Sequence, residues 1–274
     1  MIVTTQKPFD EIGGYLEPYN NIMVVGCGTC ATEVQTGGEK QVHEMAERLR
    51  GKWNVEEMVI EAPCDERIAR REWRKIQRRG TDIDALLCLC CGAGVQTLAE
   101  VADLPCVPGL NTRFIGKVER IGLYYERCRA CGECHLGETG GICPVTRCAK
   151  GLMNGPCGGM VDGKCEVENY TRDCGWILIW KRLRKIGRVD LFRKTRAPRD
   201  FGLVVFPREI VAPHRRAGGE ATSEPESEKP LTKAVVEVTA PQKKPSESSS
   251  KSTGKGKQES VDKAQFPSML EMKQ

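Results

Sequence analysis

Short apolar runs alternate with amphipathic segments over the first 120 residues of the chain. The runs cover residues 22–25, 55–60 and 85–90. Helical periodicity follows each run; after the first, one face carries apolar side chains at positions 42, 45, 46 and 49. Polar and Arg-rich residues 65–79 form the second helical segment, and the third extends through Val101. This alternation predicts an α/β fold with an open, parallel, Rossmann-like sheet.

Composition divides the 274 residues into five segments. They are an N-terminal arm (1–20), an α/β domain (21–124), a Cys-rich domain (125–175), a docking helix with an extended arm (176–216) and a tail (217–274). Ser, Lys, Glu and Pro dominate the tail, which predicts disorder. Glycines interrupt the Cys-rich domain too often for long helices, so we expect it to be irregular and stabilised by metal.

Four cysteines come just after predicted strands of the α/β domain: Cys27, Cys30, Cys64 and Cys91. The carboxyl ends of parallel strands share one edge, so these thiols are expected to converge there on one [4Fe-4S] cluster. Cys90 is a rival to Cys91, which we prefer because it opens a Gly-rich turn. Cys88 and Cys106 lie inside apolar runs and are expected to serve only packing.

A flavin or a dinucleotide is the alternative ligand at this edge. The sequence VVGCGTCA fits the permissive form of the phosphate-binding loop through Gly26, Gly28 and Ala31. The signal is weak, because the third glycine is missing, the loop holds two thiols and no acidic residue closes an evident second strand.

Eight further cysteines crowd the Cys-rich domain. They are Cys128, Cys131, Cys134, Cys143, Cys148, Cys157, Cys165 and Cys174. The first residues of the chain do not resemble an export signal, so we expect a cytoplasmic protein whose thiols bind metal and are not paired in disulfides. Four thiolates suit zinc or an iron-sulfur cluster.

The spacing of these eight thiols leaves the division of ligands open. C-x2-C-x2-C followed by Cys143-Pro144 resembles half of a ferredoxin motif, but the last gap is too long. One pool of eight ligands therefore serves two sites, either two [4Fe-4S] clusters or one cluster and a structural zinc. His135 could replace a cysteine, although a lone His in a polar turn is expected to face solvent.

A helix with an apolar stripe and a basic face follows the last cysteine. Trp176 and Trp180 could anchor a partner, or the stripe could pack on the protein's own fold. Residues 201–213 look like an extended arm that could cover a neighbouring subunit. Nucleic acid is not expected, because aromatic side chains are sparse near the basic residues. No apolar segment approaches the ~20 residues that span a bilayer, so no membrane insertion is expected.

The motifs GGICPVTRC, NGPCGG, GKCEV and DCGW, in this order, resemble the methylenetetrahydrofolate reductase C-terminal domain family. CGTC, CGAGVQT and GLNT extend the resemblance, which covers roughly residues 10–200. The stand-alone members of this family are small iron-sulfur subunits that accompany a flavin-bearing catalytic subunit in anaerobes. That barrel-shaped partner reduces methylenetetrahydrofolate to methyltetrahydrofolate, and iron-sulfur clusters, with zinc in some members, are attributed to the complex.

The resemblance implies an electron-transfer subunit of an oxidoreductase in one-carbon metabolism of the Wood-Ljungdahl type. The chain is too short and has the wrong pattern for a (β/α)8 barrel, so the folate pocket is expected on the flavin-containing partner. Further electron-transfer subunits are an open option. Two other classes remain as alternatives, a zinc-stabilised assembly subunit without redox role, which would be colourless, and an independent flavoenzyme, which would copurify with flavin.

Overall fold

A computed structural model describes residues 1–167 and 169–210. The strands are β1 (Ile2–Gln6), β2 (Asn21–Cys27), β3 (Asn54–Ile60), β4 (Ala85–Leu89), β5 (Cys106–Pro108), β6 (Leu110–Arg120) and β7 (Leu123–Cys128). The helices are α1 (Phe9–Leu16), α2 (Cys30–Glu33), α3 (Glu39–Leu49), α4 (Glu66–Arg79), α5 (Gly92–Ala102), α6 (Pro144–Arg147), α7 (Gly175–Lys185) and α8 (Asp190–Arg193). Short 3₁₀ turns occur at Leu136–Glu138 and Phe201–Val204.

Four parallel strands form the central sheet, in the order β3-β2-β4-β5. All five residues of β4 are buried, as expected for a strand covered on both faces. The chain moves from β2 to one neighbour, β3, and then crosses to the other, β4, so a topological switch point lies beside β2. The predicted α/β class and parallel sheet are confirmed.

The helices form where the apolar periodicity predicts them. Helix α3 buries its predicted stripe, and α4 buries Ala69, Trp73 and Ile76 at helical spacing. The Asp65 side chain caps α4 by accepting a hydrogen bond from the Arg67 backbone N–H at 3.0 Å. Gly80, at φ +69°, ends the helix in the left-handed conformation that glycine adopts without strain.

The first 20 residues are not a separate arm. Strand β1 pairs antiparallel with β6, which pairs with β7, to make a second sheet of three strands. Helix α1 buries Ile12 and Leu16 in the main core, and the Trp53 indole N–H donates to the Leu16 carbonyl at 3.2 Å. Strand β7 runs across the predicted boundary at residue 124, so the second sheet continues into the Cys-rich region.

A second apolar core follows the last cysteine. Helix α7 buries Trp176, Ile177, Ile179 and Leu183, which pack with Phe192 of α8. Partly buried side chains of the Cys-rich region complete this core: Ile142, Cys148, Leu152 and Met160. The apolar stripe of α7 therefore packs on the protein's own fold, and Trp176 is not available as a docking anchor.

The predicted tail (217–274) and the end of the predicted arm (211–213) lie outside the described residues. The part of the arm that the structure describes contains a 3₁₀ turn. Its large apolar side chains are exposed: Phe201, Leu203, Val205, Phe206 and Ile210. In the described part of the chain, no helix has the length and apolar character needed to cross a bilayer.

Candidate metal centre

The strands of the central sheet end level with one another, and thiols follow three of these ends. Cys27, the last residue of β2, is paired in register with Ile60 at the end of β3, and Gly26 is paired with Leu89 at the end of β4. Cys64 follows β3 in the loop to α4, and Cys91 is the N-cap of α5.

The loops that carry these thiols are tied together by backbone hydrogen bonds. The Gly28 N–H donates to the Ile60 carbonyl at 2.8 Å, and a Cβ added at Gly28 would lie 3.1 Å from the Glu61 Cα. Glycine is thus what allows the loop after β2 to approach the loop after β3. Cys30 is the first residue of α2, two residues after Gly28 in the same loop.

Cys64 experiences the other three thiols electrostatically. The pKa of the Cys64 thiol is raised, and partial burial of its sulfur is the largest cause. Charge repulsion from three neighbouring thiols, those of Cys91, Cys27 and Cys30, raises it further. Four thiols in one neighbourhood cannot all ionise without a compensating cation. The predicted quartet is thus brought to one edge of the sheet.

The quartet fits a four-thiolate group by its donor chemistry and by its position. The Thr29 hydroxyl lies 3.3 Å from the Cys27 sulfur, which is a hydrogen bond of the kind that tunes cluster sulfurs. Within residues 1–167 and 169–210, no group of three or more His, Cys, Asp or Glu side chains is arranged to hold a metal ion. The side chains of the quartet would therefore have to turn to become ligands.

Cys90 and Cys91 are separated by the alternation of the strand. Cys90 is fully buried beneath α5, where a Cβ added at Gly94 would lie 2.8 Å from its sulfur. Cys88 is fully buried as well, and hydrogen bonds to Cys106 and Cys90 raise the pKa of its thiol. These three thiols belong to the sheet core, whereas Cys91 neighbours Cys64.

The phosphate-loop alternative is poorly supported by the geometry of the loop after β2. The Cys27 and Gly28 N–H groups donate to the carbonyls of Gly37 and Ile60, so they are not available for a phosphate. The helix that follows, α2, has only four residues, and its weak dipole offers little to an anion.

Sequence reasoning did not single out Thr112, on β6. Its hydroxyl accepts a hydrogen bond from the Gly92 N–H at 2.9 Å, at the start of α5. Thr112 ends the GLNT motif and Gly92 lies in the CGAGVQT motif, so two distant motifs meet beside Cys91. The second sheet thereby positions one loop of the quartet.

Three of the downstream thiols lie together. Burial raises the pKa of the Cys174 thiol, and the neighbouring Cys148 and Cys165 raise it further. Backbone hydrogen bonds hold the segment that carries Cys165 and Cys174. The Cys165 N–H donates to the Arg172 carbonyl and the Cys174 N–H donates to the Gly163 carbonyl, both at 2.8 Å. The pool of eight therefore contains one compact group.

The other five downstream thiols are less closely defined. The Cys157 sulfur lies 3.8 Å from Glu166 Oε1, and Glu166 also pairs with Lys150. Cys143 caps α6. The remaining three lie on or just after the end of β7, in a stretch without regular helix: Cys128, Cys131 and Cys134.

His135 does not face solvent as expected. Its side chain is 14% exposed, and the buried Nε2 atom has no hydrogen-bond partner. The Glu133 carboxylate oxygen Oε2 lies 3.7 Å from this nitrogen. A buried ring nitrogen without a partner, next to Cys134, retains His135 as an alternative ligand.

Arg196 has a structural role that the sequence does not reveal, because it lies within a run of basic residues. It is 6% exposed, and its guanidinium donates to the carbonyls of Met153, Glu138 and Leu191 at 3.1–3.3 Å. Its Nε lies 2.9 Å from the Glu138 carboxylate. The Asn154 side chain accepts a hydrogen bond from the Arg196 backbone N–H at 2.7 Å and donates one to the Arg196 carbonyl at 2.9 Å. Arg196 thus joins α8 to two loops of the Cys-rich region.

Glu138 should make the stability of this region depend on pH. A hydrogen bond from Lys194 lowers the pKa of the Glu138 carboxyl, and Arg196 adds to the effect. The pKa of Glu138 is therefore lower in the folded state than in the unfolded state, so its ionised carboxylate stabilises the fold above the unfolded-state pKa. This contribution is lost as the pH falls through the folded-state pKa. We therefore expect Glu138→Gln to be less stable than the natural chain at pH 6 and to lose less on acidification, as measured by thermal unfolding from pH 6 to pH 3. Parallel curves for the two proteins would contradict this.

One segment of the chain is similar to a known protein family. Residues 107–202 match the family described as "Methylene-tetrahydrofolate reductase C terminal". No curated protein and no solved structure matches the chain. The matched segment contains β6, β7, the Cys-rich region and helices α7 and α8, whereas the upstream quartet precedes it. Residues 107–202, about a third of the chain, are therefore similar to the methylenetetrahydrofolate reductase C-terminal family.

Proposed function

We propose that this chain is an iron-sulfur electron-transfer subunit of a methylenetetrahydrofolate reductase, and that it passes electrons to a flavin-bearing catalytic subunit. The observation that carries the proposal is the convergence of Cys27, Cys30, Cys64 and Cys91 at the carboxyl edge of a parallel sheet. The family domain at residues 107–202 supports the link to the reductase. The chain itself is the non-catalytic member of a cytoplasmic complex.

The residues of the quartet would hold the upstream group and tune it. A bound [4Fe-4S] cluster takes up and releases single electrons. Cys91 lies at the N-terminus of the eleven-residue α5, where the helix dipole would favour the negative charge of a bound cluster. The hydroxyl of Thr29 would stabilise negative charge on the Cys27 sulfur and so raise the reduction potential.

The downstream thiols would supply two more four-ligand groups. Cys148, Cys165 and Cys174 form the centre of one, and Cys157 is the neighbour in sequence that completes it. The other would take Cys128, Cys131, Cys134 and Cys143, with His135 as the alternative ligand. Zinc or a [4Fe-4S] cluster suits each group chemically.

Metal analysis after anaerobic purification tests the upstream site. We expect Cys64→Ala to lose one cluster's complement of iron and sulfide and one EPR signal, because it removes a ligand while the downstream thiols remain. Cys106→Ala is the matched control, since it removes a half-buried thiol that lies beside Cys88 and packs against the sheet core. Unchanged iron and EPR spectra in Cys64→Ala would refute the site, and a colourless natural chain that contains only zinc would favour the assembly subunit.

The isolated chain should not reduce methylenetetrahydrofolate. We expect turnover to begin only when the flavin-bearing subunit is added, because the described residues offer no persuasive flavin site. The measurement is folate turnover with a low-potential artificial donor, with each subunit alone and with both together. Turnover by the isolated chain, together with copurified flavin, would instead establish an independent flavoenzyme.

A further inference from the structure

Helix α4 is one of two strongly basic segments of the chain. Its fourteen residues carry seven basic and two acidic side chains, a net charge of +5, which equals the net charge of all 274 residues. All seven basic side chains are exposed: Arg67, Arg70, Arg71, Arg74, Lys75, Arg78 and Arg79. The helix is therefore a localised basic surface, separate in sequence from the basic run at residues 181–200, which carries nine basic and two acidic side chains.

The arrangement of these side chains follows from helical geometry. Ala69, Trp73 and Ile76 define the buried face of α4. At 100° per residue, the residues at 67, 71, 74 and 78 point to the opposite side, directly away from the core. We call these four arginines the basic stripe.

Local carboxylates neutralise only part of the helix. Asp65 pairs with Arg67, Glu66 with Arg70, and Glu72 with both Arg71 and Lys75. In the ranges that the structure describes, the three arginines toward the C-terminal end of the helix have no ion pair: Arg74, Arg78 and Arg79. The stripe thus keeps charge that a partner can use.

The stripe begins beside the most accessible thiol of the quartet. Cys64 is exposed, whereas Cys27 is buried and Cys30 and Cys91 are half-buried. Helix α4 starts two residues after Cys64, so the whole stripe lies within ~20 Å of that thiol along the helix axis. A protein that covers about 800 Å² of this surface can contact the stripe and the solvent-facing side of the quartet together.

We propose that the basic stripe docks an acidic protein electron carrier, which delivers electrons at the Cys64 side of the quartet. This inference rests on the proposed electron-transfer function. One electron leaves the reduced carrier and enters the group held by the quartet, without transfer of atoms. Complementary charge raises the rate of encounter and orients the carrier, and a small interface lets it leave after transfer.

Charge removal with a matched control tests the docking surface. The stripe variant combines Arg71→Gln, Arg74→Gln and Arg78→Gln, and Gln keeps the helix propensity of Arg. The control variant combines Arg184→Gln, Lys185→Gln and Arg193→Gln, which removes the same charge from exposed positions on α7 and α8. Rates of reduction by a reduced acidic bacterial ferredoxin are measured by stopped flow at about 0.02 M and about 0.5 M salt.

We expect the stripe variant to be reduced at least roughly 10-fold more slowly than the natural chain at low salt. The control variant should keep the natural rate. The difference should shrink at high salt, where the screening length falls to a few ångströms. Equal rates for the stripe variant and the natural chain, or an equal loss in the control variant, would overturn the inference.

Two further measurements separate this inference from the proposed function. A small reductant, photoreduced deazaflavin, should reduce all three proteins at the same rate, and failure to reduce the natural chain would refute the proposed function. Ferredoxin binding, measured by thermophoresis, needs no reducible centre, so unchanged binding by the stripe variant overturns the docking surface in either case. A stripe variant that keeps ferredoxin binding but loses binding of a labelled RNA would reassign the surface to nucleic acid.

Discussion

Trp176→Ala is expected to destabilise the Cys-rich region by about 3–5 kcal/mol, the cost of emptying a large buried aromatic site. Trp176 is 1% exposed, and its ring meets Phe192 edge to face at 5.8 Å. Its indole N–H donates to the Leu152 carbonyl at 2.8 Å, so the substitution also leaves a carbonyl without its partner. Urea unfolding followed by far-UV circular dichroism, with the release of bound metal recorded in parallel, measures the loss.

Trp180→Ala is the matched control for this prediction. Trp180 lies on the same helix but is only half-buried, and the Arg184 guanidinium lies over its ring at 5.3 Å. We expect a loss of about 1–2 kcal/mol there, from the partial burial and the cation–π contact. Equal losses for the two substitutions would mean that the second apolar core does not depend on Trp176.

Arg196→Met should destabilise the same region by about 2–4 kcal/mol. Met has a similar length and is apolar, so the change removes the hydrogen bonds and the charge but keeps much of the packing. It leaves three carbonyls without donors and removes one of the two cations beside Glu138, and groups left unsatisfied dominate such losses. Differential scanning calorimetry of the full chain, with Arg193→Met as the exposed control, measures the effect.

Arg196→Lys separates charge from geometry at this position. An ammonium keeps the charge but cannot reproduce the planar fork that reaches three carbonyls. We expect Arg196→Lys to recover less than half of the stability that Arg196→Met loses. Full recovery by Lys would show that charge alone, beside Glu138, accounts for the role of Arg196.

The central sheet was predictable because its signal is local. Each apolar run and the helix that follows it can be recognised within about 30 residues, and parallel strands then place the loops of Cys27, Cys64 and Cys91 at one edge. Cys64 has Cys91, Cys27 and Cys30 as neighbours in the structure, as this reasoning requires. The choice of Cys91 over Cys90 followed from strand alternation and the Gly-rich turn.

The missed features depend on contacts between distant parts of the chain. Residues 2–6 carry too weak an alternation to reveal β1, and its partner, β6, begins more than 100 residues later. Arg196 sits in a basic run, and only the fold distinguishes it from its exposed neighbours. The stripe of α7 was consistent with either an internal or an external partner, and the choice depends on Phe192 and Leu152, which the sequence does not place.

The pairing of β1 with β6 also sets the order in which the protein can assemble during synthesis. Ile2 pairs with Ile115, and the third strand of that sheet ends at Cys128. Such a contact has a large sequence separation, so it forms late compared with the local strand–helix units. We therefore expect β1 to stay unpaired during synthesis until β6, which leads towards the Cys-rich region, has left the ribosome. All four thiols of the upstream quartet emerge before Thr112, the β6 residue that holds the loop of Cys91, is available.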